Sequence, residues 1–217
     1  MRTKRMTQLS VLLVLTFMAL WTAPSLAADP NEALYVAASQ GDLAAVRQLI
    51  DSGVSVDAKN SGGWTPLMKA SMEGHQPVVQ ELIQRGAKIN VKGRAGWTAL
   101  MQAAQFGHLD IVKILIDRGA ELNGQSVNGS TGLMFAASNG HLDTVRYLLD
   151  KGADVNLQDK LGRTALILAT SENLEAVVQL LLEKGANTKL ANSSGRTAQD
   201  IAARDGFTSI VTLLQTQ

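Results

Sequence analysis

Three histidines, His75, His108 and His141, are the residues in this 217-residue chain that most invite a chemical reading. Three imidazoles suffice to hold a zinc ion. Carboxylates stand close to the same places in sequence, at Asp42, Asp110, Asp143 and Glu175. The spacing decides against a metal centre. The histidines stand at equal intervals, one per unit of a repeat. Packed helices stand about 8–10 Å apart, so side chains at one position of successive units form a ladder and cannot converge on one ion. The expectation is a turn histidine bonded to nearby backbone. The carboxylates sit at the starts of helical patterns, where they favour the helix dipole. Arg85, Arg118, Lys151 and Lys184 each precede a helix-ending glycine and suit the opposite pole, or form a stripe for an anionic partner. There is no Cys, no Gly-x-Ser-x-Gly and no clustered glycine loop for a phosphate. No catalytic residue, metal ligand or cofactor site is therefore expected.

The elements that carry these residues follow from the period. Gly53, Gly86, Gly119, Gly152 and Gly185 recur at one constant interval, and Thr65, Thr98, Thr131, Thr164 and Thr197 recur at the same interval. A fixed period of this length signals a stack of supersecondary units that bury their apolar faces only against one another. Each unit reads as two short helices. A threonine caps the first, a Gly-His turn joins them, and a left-handed glycine ends the second. Asp29-Pro30-Asn31-Glu32 reads as the first helix start, with Glu32 placed to complete a capping box. Leu43–Ile50 and Val78–Ile83 are second-helix patterns, and Pro77 falls in a first turn that has no amide bond to lose. Asn173 replaces the turn glycine and tolerates the same left-handed backbone. Small pairs such as Ala103-Ala104 and Ala136-Ala137 let neighbouring helices approach closely. The last unit carries Gln199, Asp200, Arg204, Asp205 and Gln215, read as a polar cap facing water.

Composition agrees with thin, closely packed helices. Hydrophobic residues make up 46% of the chain, yet only 4% are aromatic. Residues 1–27 read as a cleavable signal peptide, bacterial in style. Arg2, Lys4 and Arg5 open it, Val11–Trp21 is its apolar run, and Ser25-Leu26-Ala27 precedes the expected cut between Ala27 and Ala28. The run is too short to span a bilayer, and without Cys no lipid anchor can be attached. The expected location is the periplasm, or the medium after secretion. From Asp29 onward there are 17 basic and 19 acidic residues, a balance that gives no support for nucleic-acid or membrane binding. A monomer is expected.

These motifs resemble the ankyrin repeat, whose pattern of Thr-Pro-Leu-His, paired alanines, Gly-His and Gly-Ala is legible in the second to fifth units. The resemblance covers residues 31–217, with repeats starting near 31, 60, 93, 126, 159 and 192. It implies an all-α solenoid of about six helix-turn-helix repeats with hairpin-like loops, forming a single domain over 28–217. One departure stands out. The His of Thr-Pro-Leu-His is Met68, Met101, Met134 and Ile167 here, so packing replaces the hydrogen bonds that His joins in the family.

The resemblance also implies a non-enzymatic module that binds a protein through its loop tips and the concave side of its first helices. Trp64, Trp97, Met72 and Phe106 fall at such positions in the second and third repeats, as one expected apolar cluster. Arg163, Arg196 and Arg204 form an expected basic end on the fifth and sixth. Trp and Arg are favoured at the energetic centres of interfaces, and Met adapts to uneven partners. Trp64 and Trp97 equally suit covering the loop-helix junction of their own repeats. A secreted effector acting on a host protein, and an enzyme with a loop-borne site, are the alternatives.

Overall fold

The computed structural model describes residues 29–216. The expected signal peptide and its cleavage site between Ala27 and Ala28 lie outside the described residues. Twelve helices follow one another with no strand among the described residues. They pair as α1 (Pro30–Gln40) with α2 (Leu43–Asp51), α3 (Pro66–Glu73) with α4 (Gln76–Gln84), and α5 (Ala99–Gln105) with α6 (Leu109–Asp117). The series continues with α7 (Gly132–Ser138) and α8 (Leu142–Asp150), α9 (Ala165–Ser171) and α10 (Glu175–Glu183), and α11 (Ala198–Asp205) and α12 (Thr208–Gln215). None is long and apolar enough to cross a membrane.

Each unit starts and stops for the reasons its sequence supplies. The hydroxyls of Thr65, Thr98, Thr131 and Thr164 accept amide bonds from Met68, Met101, Met134 and Ile167 at 3.2–3.3 Å. Such a cap contributes about 1 kcal/mol. Asp29 caps α1 through the amide of Asn31. The complete capping box stands at the other end of the chain, where Thr197 and Asp200 bond each other's backbone. The second helices exit through Gly53, Gly86, Gly119, Gly152 and Gly185, all at φ between 82° and 98°. Asn173 holds the turn in the fifth unit at φ 56°.

The core is continuous along the stack. Leu34, Leu67, Leu100, Leu133 and Leu166 occupy one layer, with Val46, Val79, Val112, Val145 and Val178 from the second helices against it. Met68, Met101, Met134 and Ile167 are buried, so the departure from Thr-Pro-Leu-His is filled by packing. Successive first helices are in much closer contact than successive second helices. The alanine at the fifth residue after each motif threonine (Ala70, Ala103, Ala136, Ala169, Ala202) is fully buried and permits that approach. Closer packing on one side curves the stack, with the first helices on its inner, concave side. At the C-terminal end Asp200, Arg204, Asp205 and Gln215 are exposed, as a cap requires. Gln199 departs from that reading, because its Oε1 is buried without a hydrogen-bond partner.

Candidate functional site

The histidine ladder belongs to the stack. The Nε2–H groups of His75, His108 and His141 donate to the carbonyls of Ser39, Met72 and Gln105 at 2.8–2.9 Å. Each acceptor is a backbone carbonyl, as expected, and it belongs to the preceding repeat, 36 residues earlier in the chain. Each ring also lies against the preceding repeat's turn glycine. A Cβ on Gly41, Gly74 or Gly107 would fall 2.5–2.7 Å from it. The histidines therefore latch repeats together. Among the described residues no three His, Asp or Glu side chains are grouped to hold an ion.

Charges along the second helices are largely committed too. Glu81 is buried between Arg47 of α2 and Arg85 beyond α4, at 2.8 Å and 2.9 Å. Arg85 continues to Asp51 of the preceding repeat at 2.5 Å. The Arg47 guanidinium, helped by Arg85 and opposed by burial, holds the Glu81 carboxyl below its usual range. Lys184 reaches Asp150 of the preceding repeat at 2.6 Å, and Lys151 lies over the Tyr147 ring at 5.3 Å. Arg118 borders a shallow outer groove of about 260 Å³ with Asp117 and Gln84.

The inner side differs from repeat to repeat. In the second loop, Asn60 Oδ1 accepts from the amides of Gly62 and Trp64 at 3.0 Å, folding the tip so that Trp64 lies half-buried beside Thr65. Trp97 takes the same place one repeat on. Its ring lies 4.2 Å from that of Phe135 on α7, tilted by 35°. Trp64 and Trp97 share a cleft of about 400 Å³ with Gly62, Gly93, Arg94 and Ala95. Phe106, which caps α5, is 47% exposed and stacks on His108 at 6.4 Å. Met72 is half-buried near the end of α3.

The four apolar residues therefore do not meet as one cluster. Both tryptophans precede the first helices, whereas Met72 and Phe106 lie at the far ends, about 10 Å away along the helix axis. The basic end is also altered. Arg163 bonds Asp159 in its own loop at 2.7 Å, and Arg204 bonds Asp205 twice at 2.6 Å. Arg204 first, and Arg196 more weakly, hold the Asp205 carboxyl below its usual range. The Asp200 carboxyl is lowered by the Thr197 amide and hydroxyl first, with a lesser contribution from Arg196. Two of the three arginines are thus paired with aspartates, and Arg196, exposed, acts on Asp200 and Asp205 only through space, so the end presents mostly paired charge.

Two residues of the first helices escape the sequence reading. Phe135 follows Trp97, and Gln102 follows Trp64, by one repeat and a little more than a helical turn. Gln102 is 1% exposed and its Nε2 has no partner. Their signal in the sequence is the run Lys69, Gln102, Phe135 and Leu168, at the position just before the buried alanine of each first helix, where the residue type changes with every repeat.

Repeating capped helix pairs, glycine exits and a curved inner face correspond to a known family. A family model for ankyrin repeats matches in three copies, over residues 12–93, 90–159 and 133–217. The chain belongs to the ankyrin-repeat family. Part of it is similar to the ankyrin repeat, SAM and basic leucine zipper domain-containing protein 1 of Neofelis nebulosa, at 46% identity over 48 residues. The same-named protein of Equus caballus is 49% identical over 43 residues. These stretches cover 22% and 20% of the chain. They span only about a tenth of the relatives' length, 10% and 9%. An ankyrin-repeat stack is a protein–protein interaction module, and this chain is one.

Proposed function

We propose that this protein is exported to the periplasm and acts there, without enzymatic activity, as a monomeric adaptor. It holds one partner protein on its concave face and loop tips. The observation that carries this reading is where the repeat is broken. Recurring positions are buried in the stack, whereas Trp64, Trp97, Phe106 and the Trp97–Phe135 stack stand on the inner side and differ between repeats. Side chains that vary between repeats and stay partly exposed, of the types that dominate interface energetics, are what a recognition surface requires.

The test is cross-linking of the native chain in its own periplasm. The double variant Trp64→Ala and Trp97→Ala is compared with the parent. The variant is expected to keep its far-ultraviolet helical signal and to lose most of the cross-linked partner. Unchanged capture would place the binding face elsewhere. N-terminal sequencing of the periplasmic form is expected to begin at Ala28, and a retained leader would refute export by cleavage.

A further inference from the structure

The loop tips are tied together rung by rung, except at one place. The Val127 amide donates to the Ala95 carbonyl, Lys160 to Asn128 and Ser193 to Leu161, all at 2.8–2.9 Å. In each case the acceptor precedes the donor by one position less than a full repeat. The corresponding bond between the second and third tips would join the Arg94 amide to the Gly62 carbonyl, and it is not formed among the described residues. The Arg94 side chain instead reaches the Ser61 carbonyl at 3.5 Å. The tips also stand further apart here. A Cβ on Gly63 would lie 3.6 Å from the Arg94 nitrogen. The matching distances at Gly96, Gly129 and Gly162 are 2.7–3.0 Å.

This open rung lies in the cleft walled by Trp64 and Trp97, and both Gly62 and Arg94 line it. Its surroundings are basic. The five segments between helix-ending glycine and motif threonine (54–64, 87–97, 120–130, 153–163 and 186–196) hold eight basic and four acidic residues. The rest of the chain from Asp29 onward holds nine and fifteen. Lys59, Lys92 and Arg94 are exposed beside the cleft. The Lys59 and Lys92 ammonium groups are pinned one per repeat, donating to the Lys92 and Gln125 carbonyls at 3.2 Å.

We infer that this cleft binds an extended, acidic peptide segment of the partner, whose backbone completes the open rung. The inference rests on the protein-binding reading above and names the partner's chemistry. An amide donor and a carbonyl acceptor left side by side are matched by another peptide backbone, as when a strand is added to a sheet edge. The two indoles receive an apolar side chain between them. Cations one repeat apart, about 9 Å, match carboxylates three residues apart on an extended chain wound at three residues per turn, where they share one side about 9 Å apart. The chain's own stretch before Asp29 carries Arg2, Lys4 and Arg5 and no acidic residue, so its charge is wrong for this site. A single-stranded nucleic acid would stack on the indoles, but its backbone offers no amide donor for Gly62, and the acidic remainder of the chain repels it.

The experiment measures fluorescence anisotropy of labelled probes with the full chain. The main probe is a nonapeptide with glutamate at its second, fifth and eighth places, leucine at its fourth and sixth, and alanine elsewhere. The controls are its lysine-for-glutamate counterpart, three forms N-methylated at one central amide each, and a nine-base oligothymidylate. The acidic peptide is expected to bind at least about tenfold more tightly than the lysine peptide, with affinity falling as salt rises. At least one N-methyl form weakens binding about fivefold or more, because it cannot donate to Gly62. The pairs Lys92→Glu with Arg94→Glu, and Trp64→Ala with Trp97→Ala, each weaken it about tenfold, with circular dichroism verifying the fold.

Equal binding of the two peptides, no binding at millimolar concentration, preference for the oligothymidylate, or indifference to the variants overturns the inference. Cross-linking separates the two levels. If the Lys92→Glu, Arg94→Glu form captures the parent's partner equally well, the cleft assignment fails and the protein-binding reading stands. If the acidic peptide binds as described but no partner is captured by the parent chain, the broader reading fails.

Discussion

Substituting Gly74 by alanine perturbs two repeats at once, and its cost can be worked from the geometry. Gly74 ends α3 at φ 81°, a conformation that costs an alanine roughly 1–2 kcal/mol. Its new Cβ would lie 2.7 Å from Cε1 and 2.9 Å from Nδ1 of His108. The ring must move, and moving it breaks the 2.9 Å bond to the Met72 carbonyl, a loss of about 1 kcal/mol. Gly74→Ala is therefore expected to cost about 2.5 kcal/mol. His108→Ala loses the same bond and about 1 kcal/mol of half-buried ring packing, about 2 kcal/mol together. In the double variant the alanine meets no ring, and the hydrogen bond is lost only once. The pair should then cost about 3.5 kcal/mol, roughly 1 less than the sum. Urea unfolding of the four full-length proteins, followed by far-ultraviolet circular dichroism, measures this coupling. Additivity within about 0.3 kcal/mol would refute the latch, as would a His108→Ala cost below about 0.5 kcal/mol. His108→Leu supplies a control that the chain has already made. Leu174 holds the same position in the fifth repeat, with Cδ2 3.2 Å from a Cβ placed on Gly140. That variant keeps the packing, loses only the bond, and should cost about 1 kcal/mol.

Two further outcomes follow from buried charge. Glu81→Gln should cost about 1 kcal/mol at pH 7, since its partner Arg47 is half-exposed and the pair is screened. The folded Glu81 titrates below its ordinary value near 4.5, so its stabilisation is present above that pH and fades as pH falls through the lowered value. Thermal melts should therefore show the difference between parent and variant shrinking on acidification from pH 5 to pH 3, and a constant difference would contradict it. Asp159→Asn should cost less than about 1 kcal/mol although Asp159 is buried and paired with Arg163. Asn60 and Asn192, at the same loop position, already make the equivalent two backbone bonds, and Asp159→Ala, which cannot, should cost clearly more in the same melts.

The local grammar of the fold was legible because each rule acts over a short stretch of chain. A threonine caps the first turn of its own helix, a glycine or Asn173 takes a left-handed turn, and the constant period brings the same apolar positions into register. Which carbonyl the histidine bonds was not legible. Its acceptor lies in the preceding repeat, and nothing local separates the carbonyl of Met72 from those nearer in sequence. Gln199 misled for a related reason. Polarity in a terminal repeat argues for water, yet its Oε1 sits in a place that leucine fills in the four preceding repeats.

The inner face was legible by residue type but not by pairing. Trp97 was conspicuous and Phe135 was not, because the two become neighbours only through an offset of one repeat plus a little more than a helical turn. The arginines show the opposite error. Arg163 and Arg204 read as free cations, although Asp159 and Asp205 stand close by in the same sequence, Asp205 next in line. The open rung left still less trace, since Arg94 and Gly62 differ in side chain from their counterparts while the missing bond is between backbone atoms. The physical lesson is one of distance along the chain. Positions that recur at the repeat interval are consumed by the stack, as are the His108–Met72 latch and the closed loop-tip rungs, and what is left to differ from repeat to repeat is a few pairs offset from that interval. Such pairs, Trp97 with Phe135 and Gly62 with Arg94, can vary without disturbing the period, so this face can be specific while the fold stays generic.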